Sequence, residues 1–338
     1  LVTIKDIAKL ANVSHTTVSR ALNDSPLINP ETKERIKALA QGLNYSPNYS
    51  ARSLVLDRSY NIGLFFSTLQ TGTSAGFFYE SVRGVNDVIK EQYNLVVRGI
   101  DDYKSYDGIT RKSFDGILVM SQSEQDQPFI EHVKAKEIPL IVMNRQVDPV
   151  KVMNMIPDDR GGAYRIVDYM IQQGHKRIAI IEGKETFKST QARREGYKDA
   201  LTQNGLAVIP EYQVRGSYSL ESGYDAMKQL LSGISGELPT AVFCCNDEMA
   251  LGAIKAIQES GLKVPDEISV AGFDAQLFSG YTSPALTTVR RPIDRIGREG
   301  AARLLDFIET KQTQEETIFF HTELVIRDSV KNISGGAM

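Results

Sequence analysis

The sequence predicts an N-terminal all-α helix-turn-helix domain followed by an α/β body of two doubly wound, parallel-sheet lobes. Three observations lead there. Apolar residues in the first 45 positions recur at helical spacing in short blocks, broken by capping and turn residues. From Asn61 onward, apolar runs of four or five residues alternate with helical segments, as in a parallel sheet covered on both faces. Charge is divided to match. Residues 1–58 hold eight Lys/Arg against five acids, a net of +3, which leaves −6 for the other 280 residues of a chain of net charge −3. A basic head on an acidic body points to a polyanion as the head's partner.

A length of 338 residues suits two or three domains at about 100–200 residues each. With 41% apolar and 24% charged residues, wholesale disorder is excluded. No apolar stretch approaches the roughly 18 residues needed to cross a bilayer. The opening Leu1-Val-Thr-Ile-Lys-Asp6 is not a signal peptide, so a cytoplasmic protein with no membrane partner is expected. Cys244 and Cys245 are adjacent in an apolar run and form neither a disulfide framework nor a zinc spacing, which fits a reducing compartment.

Within the head (residues 1–46), Thr3 caps a first helix, with Asp6 as reciprocal partner and Ile4, Ile7, Ala8 and Ala11 on one face. Asn12 suits the left-handed turn that follows. Ser14 caps a second helix whose buried side is Val18, Ala21 and Leu22. After Asn23-Asp-Ser-Pro26, Asn29 and Pro30 open a third, with Ile36, Leu39, Ala40 and Leu43 inward. Two short helices braced by a third form a helix-turn-helix, whose second helix lies in the major groove of double-stranded DNA. Its outward residues are His15, Thr16, Ser19 and Arg20, and Arg20 suits a bidentate contact to guanine. Thr3, Ser14 and Thr17 suit phosphates. The alternative from local pattern alone is a plain small helical domain.

In the linker (residues 47–59), Asn48 can cap a helix reaching Leu56, but nine residues are too few for a stable helix in water. It should form only when docked. Leu54 and Val55 then serve either as an apolar wedge between base steps of a minor groove or as an ordinary connector packed on the body.

The runs Thr3-Ile-Lys-Asp-Ile-Ala8, Val13-Ser-His-Thr-Thr-Val-Ser-Arg-Ala-Leu-Asn23, Asn44-Tyr-Ser-Pro-Asn48 and Ala51-Arg-Ser-Leu54 together resemble the lactose/galactose repressor (LacI/GalR) family. The resemblance implies that Leu54 is a minor-groove lever and that residues 48–56 fold against a dimer mate on operator DNA. Asn23, Tyr45, Asn48, Arg52, Leu54 and Val55 complete the expected DNA-contacting set. Asn12 departs from the family's usual Gly.

The body (residues 60–330) reads as strands at Ile62–Phe66, Leu95–Val97, Gly116–Met120 and Pro139–Met143, with a helix carrying Val82, Val85 and Ile89. A second series runs helix 160–173, strand 177–181, helices 190–204 and 220–232, strand 240–244, helix 247–260 and strand 268–271. Leu286–Val289 and a helix at 293–309 return to the first lobe. The expected lobes are therefore about 60–157 plus 276–309, and 158–275 plus 310–330.

Two such lobes leave a crevice at the carboxyl ends of their strands, where ligands bind. Phe77, Phe78, Asn144, Arg145, Asn246, Asp247 and Asp274 follow strands, and Ser189, Arg193 and Tyr218 sit where loops of the second lobe open. Aromatic faces beside Asn, Asp and Arg suit a sugar. Arg145 and Arg193 leave a purine or a phosphorylated metabolite open, while Asn246 and Ser189 read equally as helix caps and Phe77/Phe78 as core.

The family resemblance extends over the body through Gly174-His-Lys-Arg-Ile-Ala179, Pro239-Thr-Ala-Val-Phe243 with Asn246-Asp247, Gly272-Phe-Asp274 and Leu286-Thr-Thr-Val289. It implies a periplasmic-binding-protein-like body with Phe77/Phe78, Arg145, Ser189, Arg193, Tyr218, Asn246 and Asp274 lining an effector cleft. The stretch Asp101–Asp115 is shorter than usual for the family, so its helix must be curtailed. The tail after Val330 has no heptads.

No phosphate loop, zinc-binding helix or nucleophile elbow is present, and the four His (His15, His132, His175, His321) are scattered. His175 reads as a turn residue, and Asp101/Asp102 and Asp158/Asp159 as solvated loop acids. No reaction, metal or cofactor is expected beyond a small-molecule effector. Neither is a protein co-regulator indicated. A transport receptor of the same two-lobed form would lack the DNA head. The expected mechanism pairs two heads on a homodimer across a pseudo-palindromic operator, with ligand closure rotating the first lobes.

Overall fold

A computed structural model describes residues 2–22, 25–43, 45, 58–70, 72–90, 92–147, 151–312 and 315–334. It falls into two units, Leu1–Ser59 and Tyr60–Met338. The linker helix expected over 48–56 lies outside the described residues, as do Asn23, Asn48, Arg52, Leu54 and Val55.

In the first unit, helices α1 (Ile4–Ala11), α2 (His15–Leu22) and α3 (Pro30–Gly42) enclose a small core in which Ile7, Val18 and Ile36 are fully buried. Each boundary has a local cause. The Asp6 carboxylate accepts from the Thr3 amide at 2.8 Å and its hydroxyl at 2.7 Å. Asn12 ends α1 in the left-handed region (φ 51°). The Thr17 amide donates to Ser14 Oγ at 3.0 Å, and the Thr32 amide to Asn29 Oδ1 at 2.7 Å, ahead of Pro30 in the first turn. Arg35 on α3 donates to the Ala11 carbonyl at 3.3 Å, tying the last turn of α1 to the brace.

The second unit begins with β1 (Asn61–Phe66), β2 (Asn94–Gly99), β3 (Gly116–Met120), β4 (Leu140–Met143) and β5 (Met153–Pro157). It continues with β6 (Ile178–Glu182), β7 (Gln213–Arg215), β8 (Ala241–Cys244), β9 (Ser269–Ala271), β10 (Thr288–Arg290), β11 (Thr317–Phe320) and β12 (Glu323–Val325). The first lobe is a six-stranded parallel sheet in the order β11-β5-β4-β3-β1-β2, and the second a four-stranded parallel sheet, β7-β6-β8-β9. Strands β3, β4, β6 and β8 are buried along their whole length, as sheets covered on both faces require. The helices Ala75–Ile89 and Ile293–Thr310 pack so closely against each other that a Cβ at Gly84 would lie 2.2 Å from the Asp294 carbonyl oxygen.

Two expected lobe assignments are corrected. Leu286 and Val289 belong to the second lobe's core, because the Gly272 amide donates to the Thr287 carbonyl and the Asp274 amide to that of Val289. Residues 317–320 belong to the first lobe, as edge strand β11 beside β5. The chain thus passes between lobes three times, near Asp158, Arg291 and Thr322. These passages touch one another: the Asp158 amide donates to the Phe320 carbonyl at 2.9 Å, and Arg165 to the Thr322 carbonyl at 3.0 Å.

Between β2 and β3 the only helical turn among the described residues is a 3₁₀ turn at Ile100–Asp102, where a curtailed helix was expected. Ile109 and Phe114 fill the space in the first lobe's core. The helix Gln127–Ala135 and strands β5, β7, β11 and β12 were not foreseen.

Candidate functional site

Two surfaces draw together the expected site residues. On α2, His15, Thr16 and Arg20 are exposed and Ser19 is half-buried, so three of the four outward residues stand free along one side. The Ser14 and Thr17 hydroxyls lie 2.9 Å apart and share a hydrogen bond within the cap. Bonding to the Thr3 hydroxyl, then to its amide, holds the Asp6 carboxyl below the usual carboxylate range. Tyr45 packs against the head's core.

The second surface lies between the lobes at the carboxyl ends of their strands. A small cavity is lined by Gly72, Ser74, Phe77, Gln122, Asn144, Phe187, Ser189, Arg193, Tyr218, Asn246, Asp274 and Arg291. Loop and cap geometry sets each one. Asn246 opens the helix Asp247–Glu259, accepting from the Met249 amide at 2.9 Å while its Nδ2 donates to the Tyr218 carbonyl at 3.0 Å. The Tyr218 ring stacks on Phe187 (centroids 5.8 Å apart, 22° between planes), and its hydroxyl bonds Thr190 Oγ1 at 2.7 Å and Ser189 Oγ at 3.2 Å. A Cβ at Gly183 would lie 2.1 Å from that ring, so only glycine leaves room for it. Burial pushes the Tyr218 phenol up to about 12. Asn144, Tyr218 and Asp274 all adopt positive φ (77°, 71° and 103°), backbone strain of the kind concentrated at ligand sites.

Beneath these groups sits a buried ionic quartet. Arg193, 2% exposed, lies 3.3 Å from both Asp159 Oδ1 and Asp274 Oδ1, with its guanidinium 3.9 Å from the Phe273 ring centroid. It also donates to the Cys245 carbonyl. Arg291 approaches Asp159 at 2.9 Å and Asp274 at 3.7 Å, and donates to Asn144 Oδ1 at 2.5 Å. Burial works against charge on Arg193, yet Asp159 and Asp274 raise its pKa above the ordinary arginine value. Burial likewise raises Asp274, against the pull of Arg193 and Arg291.

The small cavity measures about 30 Å³, room for one water. The lobes close over it through Lys188 Nζ, 2.5 Å from Glu124 Oε1, and through the Lys188 amide donating to the Gln122 carbonyl at 2.9 Å. Gln276 Nε2 donates to Ser74 Oγ at 3.0 Å on another side. A wider cavity of about 520 Å³ adjoins, sharing Asn144 and Ser189 and adding Glu124, Gln127, Arg145, Gln146, Lys188 and Phe319.

Of the ten expected effector residues, Arg145 lines only the wider cavity, and Phe78 and Asp247 line neither. Phe78 sits one position past Phe77, about 100° round the helix, where it is 36% exposed and packs on Phe66. Asp247 is buried, accepting from the Gln276 amide at 2.7 Å and the Thr288 hydroxyl at 2.5 Å, and burial pushes its carboxyl up to about 8. Ser189 does not cap its helix, whereas Asn246 both caps and lines the cavity. Asp159 overturns its reading as a solvated acid. Asp158 is a helix cap, accepting from the Gly161 amide at 2.9 Å. The strand–helix junction was the available signal for Asp159, and none marked Arg291. His175 is a buried turn residue bonded to Thr240 Oγ1 and the Lys331 carbonyl, each at 3.0 Å. Among the described residues no helix is long and apolar enough to cross a membrane.

A helix-turn-helix reader carried on a two-lobed body with a polar, aromatic-walled cleft defines a DNA-binding transcriptional regulator with a ligand-binding domain. Residues 3–48 match the family described as bacterial regulatory proteins, lacI family, and residues 167–330 a periplasmic binding protein-like domain. The chain is 52% identical over 334 residues to the probable HTH-type transcriptional repressor ExuR of Bacillus subtilis (strain 168), covering 99% of this chain and 100% of that one. It belongs to the LacI family. Among solved structures it is similar to the Lac repressor dimer bound to operator and the anti-inducer ONPF, with TM-score 0.82, 27% identity and coverage of 98% of this chain and 99% of that one. The regulator CelR in complex with cellobiose is similar too, with TM-score 0.74, 27% identity and coverage of 97% and 100%.

Proposed function

We propose that the protein is a repressor of carbohydrate-utilisation genes that binds a pseudo-palindromic operator as a homodimer in the cytoplasm. A sugar or sugar derivative, bound between the lobes, switches it. The observation that carries the ligand class is the cleft wall: stacked Phe187 and Tyr218 and the Phe77 ring offer faces to C–H groups. Asn144, Gln122, Ser189, Asn246 and three of the quartet, Arg193, Asp274 and Arg291, border the same space with paired donors and acceptors. The cellobiose held by the similar regulator CelR supports the reading.

Two heads are needed because one makes too few base contacts to move from non-specific affinity (about 10⁻⁴–10⁻⁶ M) to specific affinity (about 10⁻⁸–10⁻¹¹ M). The ligand acts through different affinities for two lobe arrangements, and a full 1:99 to 99:1 shift takes about 5.5 kcal/mol. The protein's work is binding rather than catalysis. A thermal-shift screen of sugars, sugar phosphates and purines, repeated with operator DNA, tests this through linkage. The expected result is a sugar-class ligand whose shift changes when operator is present. Stabilisation by purines alone would overturn the ligand class, and a shift indifferent to operator would overturn the switch.

A further inference from the structure

The loop from Gly183 to Phe187 joins β6 to the helix Lys188–Gln203 in the second lobe. It is braced from behind: Arg194 on that helix donates to Glu182 Oε1 at 2.7 Å and to Glu185 Oε1 at 3.1 Å. The Phe187 amide donates to the Lys184 carbonyl at 3.0 Å and the Thr190 amide to the Phe187 carbonyl at 3.1 Å, so the loop travels with its own lobe. Its other side lies on the first lobe. Phe187 pairs with Ser123 in a single antiparallel bridge, and the Lys188 amide donates to the Gln122 carbonyl at 2.9 Å. Lys184 lies so close over Gly72 that a Cβ there would stand 2.8 Å from its Nζ. Lys188 Nζ, 2.5 Å from Glu124 Oε1 and 3.3 Å from Gln191 Oε1, adds opposite charges drawn from the two lobes. That hydrogen bond, and then the charge of Lys188, hold the Glu124 carboxyl below its ordinary value.

The pocket beneath this strap has room for one water, so any larger molecule enters only after these contacts part. The backbone contacts are set by the fold. The ion pair is set by two side chains, 38% and 72% exposed, that can be exchanged without touching either core. We propose that Lys188–Glu124 is a latch by which the protein holds its own lobes together, its strength setting how readily the cleft parts. On the switch proposed above, on which this last step rests, the latch also sets how strongly operator is held.

Hydrogen exchange of the full chain, resolved to single amides, tests the latch, and fluorescence anisotropy on an operator selected from random duplexes tests its coupling. Lys188→Glu and Glu124→Lys each put like charges at the seam. In either one the Lys188 amide, whose acceptor belongs to the other lobe, should exchange at least about twofold faster, while the Phe187 and Thr190 amides keep their rates. Exchanging both residues together should restore it, and high salt should bring wild type towards the single variants. Operator affinity should shift by at least about twofold in a common direction in the two singles and return in the double variant. Asp199→Ala, which breaks the exposed pair with Arg160 inside the second lobe, should move neither readout. Lys188→Met and Glu124→Gln repeat the comparison without introduced charge if circular dichroism shows a reversal to unfold the chain. An unchanged Lys188 amide, a double variant that restores nothing, equal acceleration at Phe187 and Thr190, or an equal response to Asp199→Ala would overturn the latch. A Lys188 amide that responds as expected beside an operator affinity that does not would leave the latch standing and overturn the switch.

Discussion

Replacing Asp159 by Ala is the sharpest probe of the ionic quartet. Asp159 touches both arginines, at 3.3 Å to Arg193 and 2.9 Å to Arg291. Its removal leaves two buried guanidiniums sharing Asp274, which they reach at 3.3 and 3.7 Å. Stranding a buried charge this way costs about 3–5 kcal/mol. At about 2–4 °C per kcal/mol for a unit of this size, the melting temperature should fall by roughly 6–20 °C. Asp199→Ala serves as the control, because it breaks an equally direct pair with Arg160 (2.7 Å) whose members are 32% and 60% exposed. That pair should contribute about 1 kcal/mol or less, and less still at high salt. Thermal denaturation followed by circular dichroism at low and high salt measures both. If Asp159→Ala costs no more than Asp199→Ala, or its cost disappears in salt, the quartet is not the buried anchor described above.

Arg20→Ala should cost about 1–3 kcal/mol on operator DNA and much less on random DNA; fluorescence anisotropy with both duplexes reads the ratio, and an unchanged ratio would rule out base reading by Arg20. Gly183→Ala should displace the Tyr218 ring and destabilise by about 1–3 kcal/mol through overpacking, with ligand affinity by calorimetry falling as the Phe187 stack is lost. His175 is buried, which pushes its pKa below the ordinary value of 6.5. Its neutral form is therefore favoured by folding: the contribution is complete above pH 6.5 and lost as pH falls towards the folded pKa. His175→Gln should flatten the decline in urea stability between about pH 7 and 5, and an unchanged slope would remove His175 as its source.

The parts of this molecule written in local chemistry could be read from the sequence. The Thr3/Asp6 pair, Asn12, Ser14 and Asn29-Pro30 each act within three or four residues, so their helices began and ended where the residues demanded. Fully apolar strands such as β3, β4 and β8 were equally plain. Strand β5 was hidden by Asn154 and Pro157 inside a short run, and β11 by its position at a sheet edge, where only Phe320 is buried. The cleft was half legible: topology puts residues that follow strands at a shared crevice, which located Asn144, Asn246 and Asp274. It does not orient side chains, hence the misplaced Phe78 and Asp247. Asp159 looked like any loop acid because its partner Arg291 lies 132 positions away.

The three interlobe passages meet at the quartet, with Asp158-Asp159 on one, Arg291 on the second and Thr322, held by Arg165, beside them. Under the function proposed above, recognition of the effector and movement between the lobes would draw on the same atoms. On that proposal, a mutation that retunes what the cleft accepts by altering these charges also alters how readily the interlobe passages move, so changes in ligand preference and in switching threshold should arise together. Selectivity can drift more freely through cleft side chains that take no part in the quartet, of which Phe187 and Gln122 are examples.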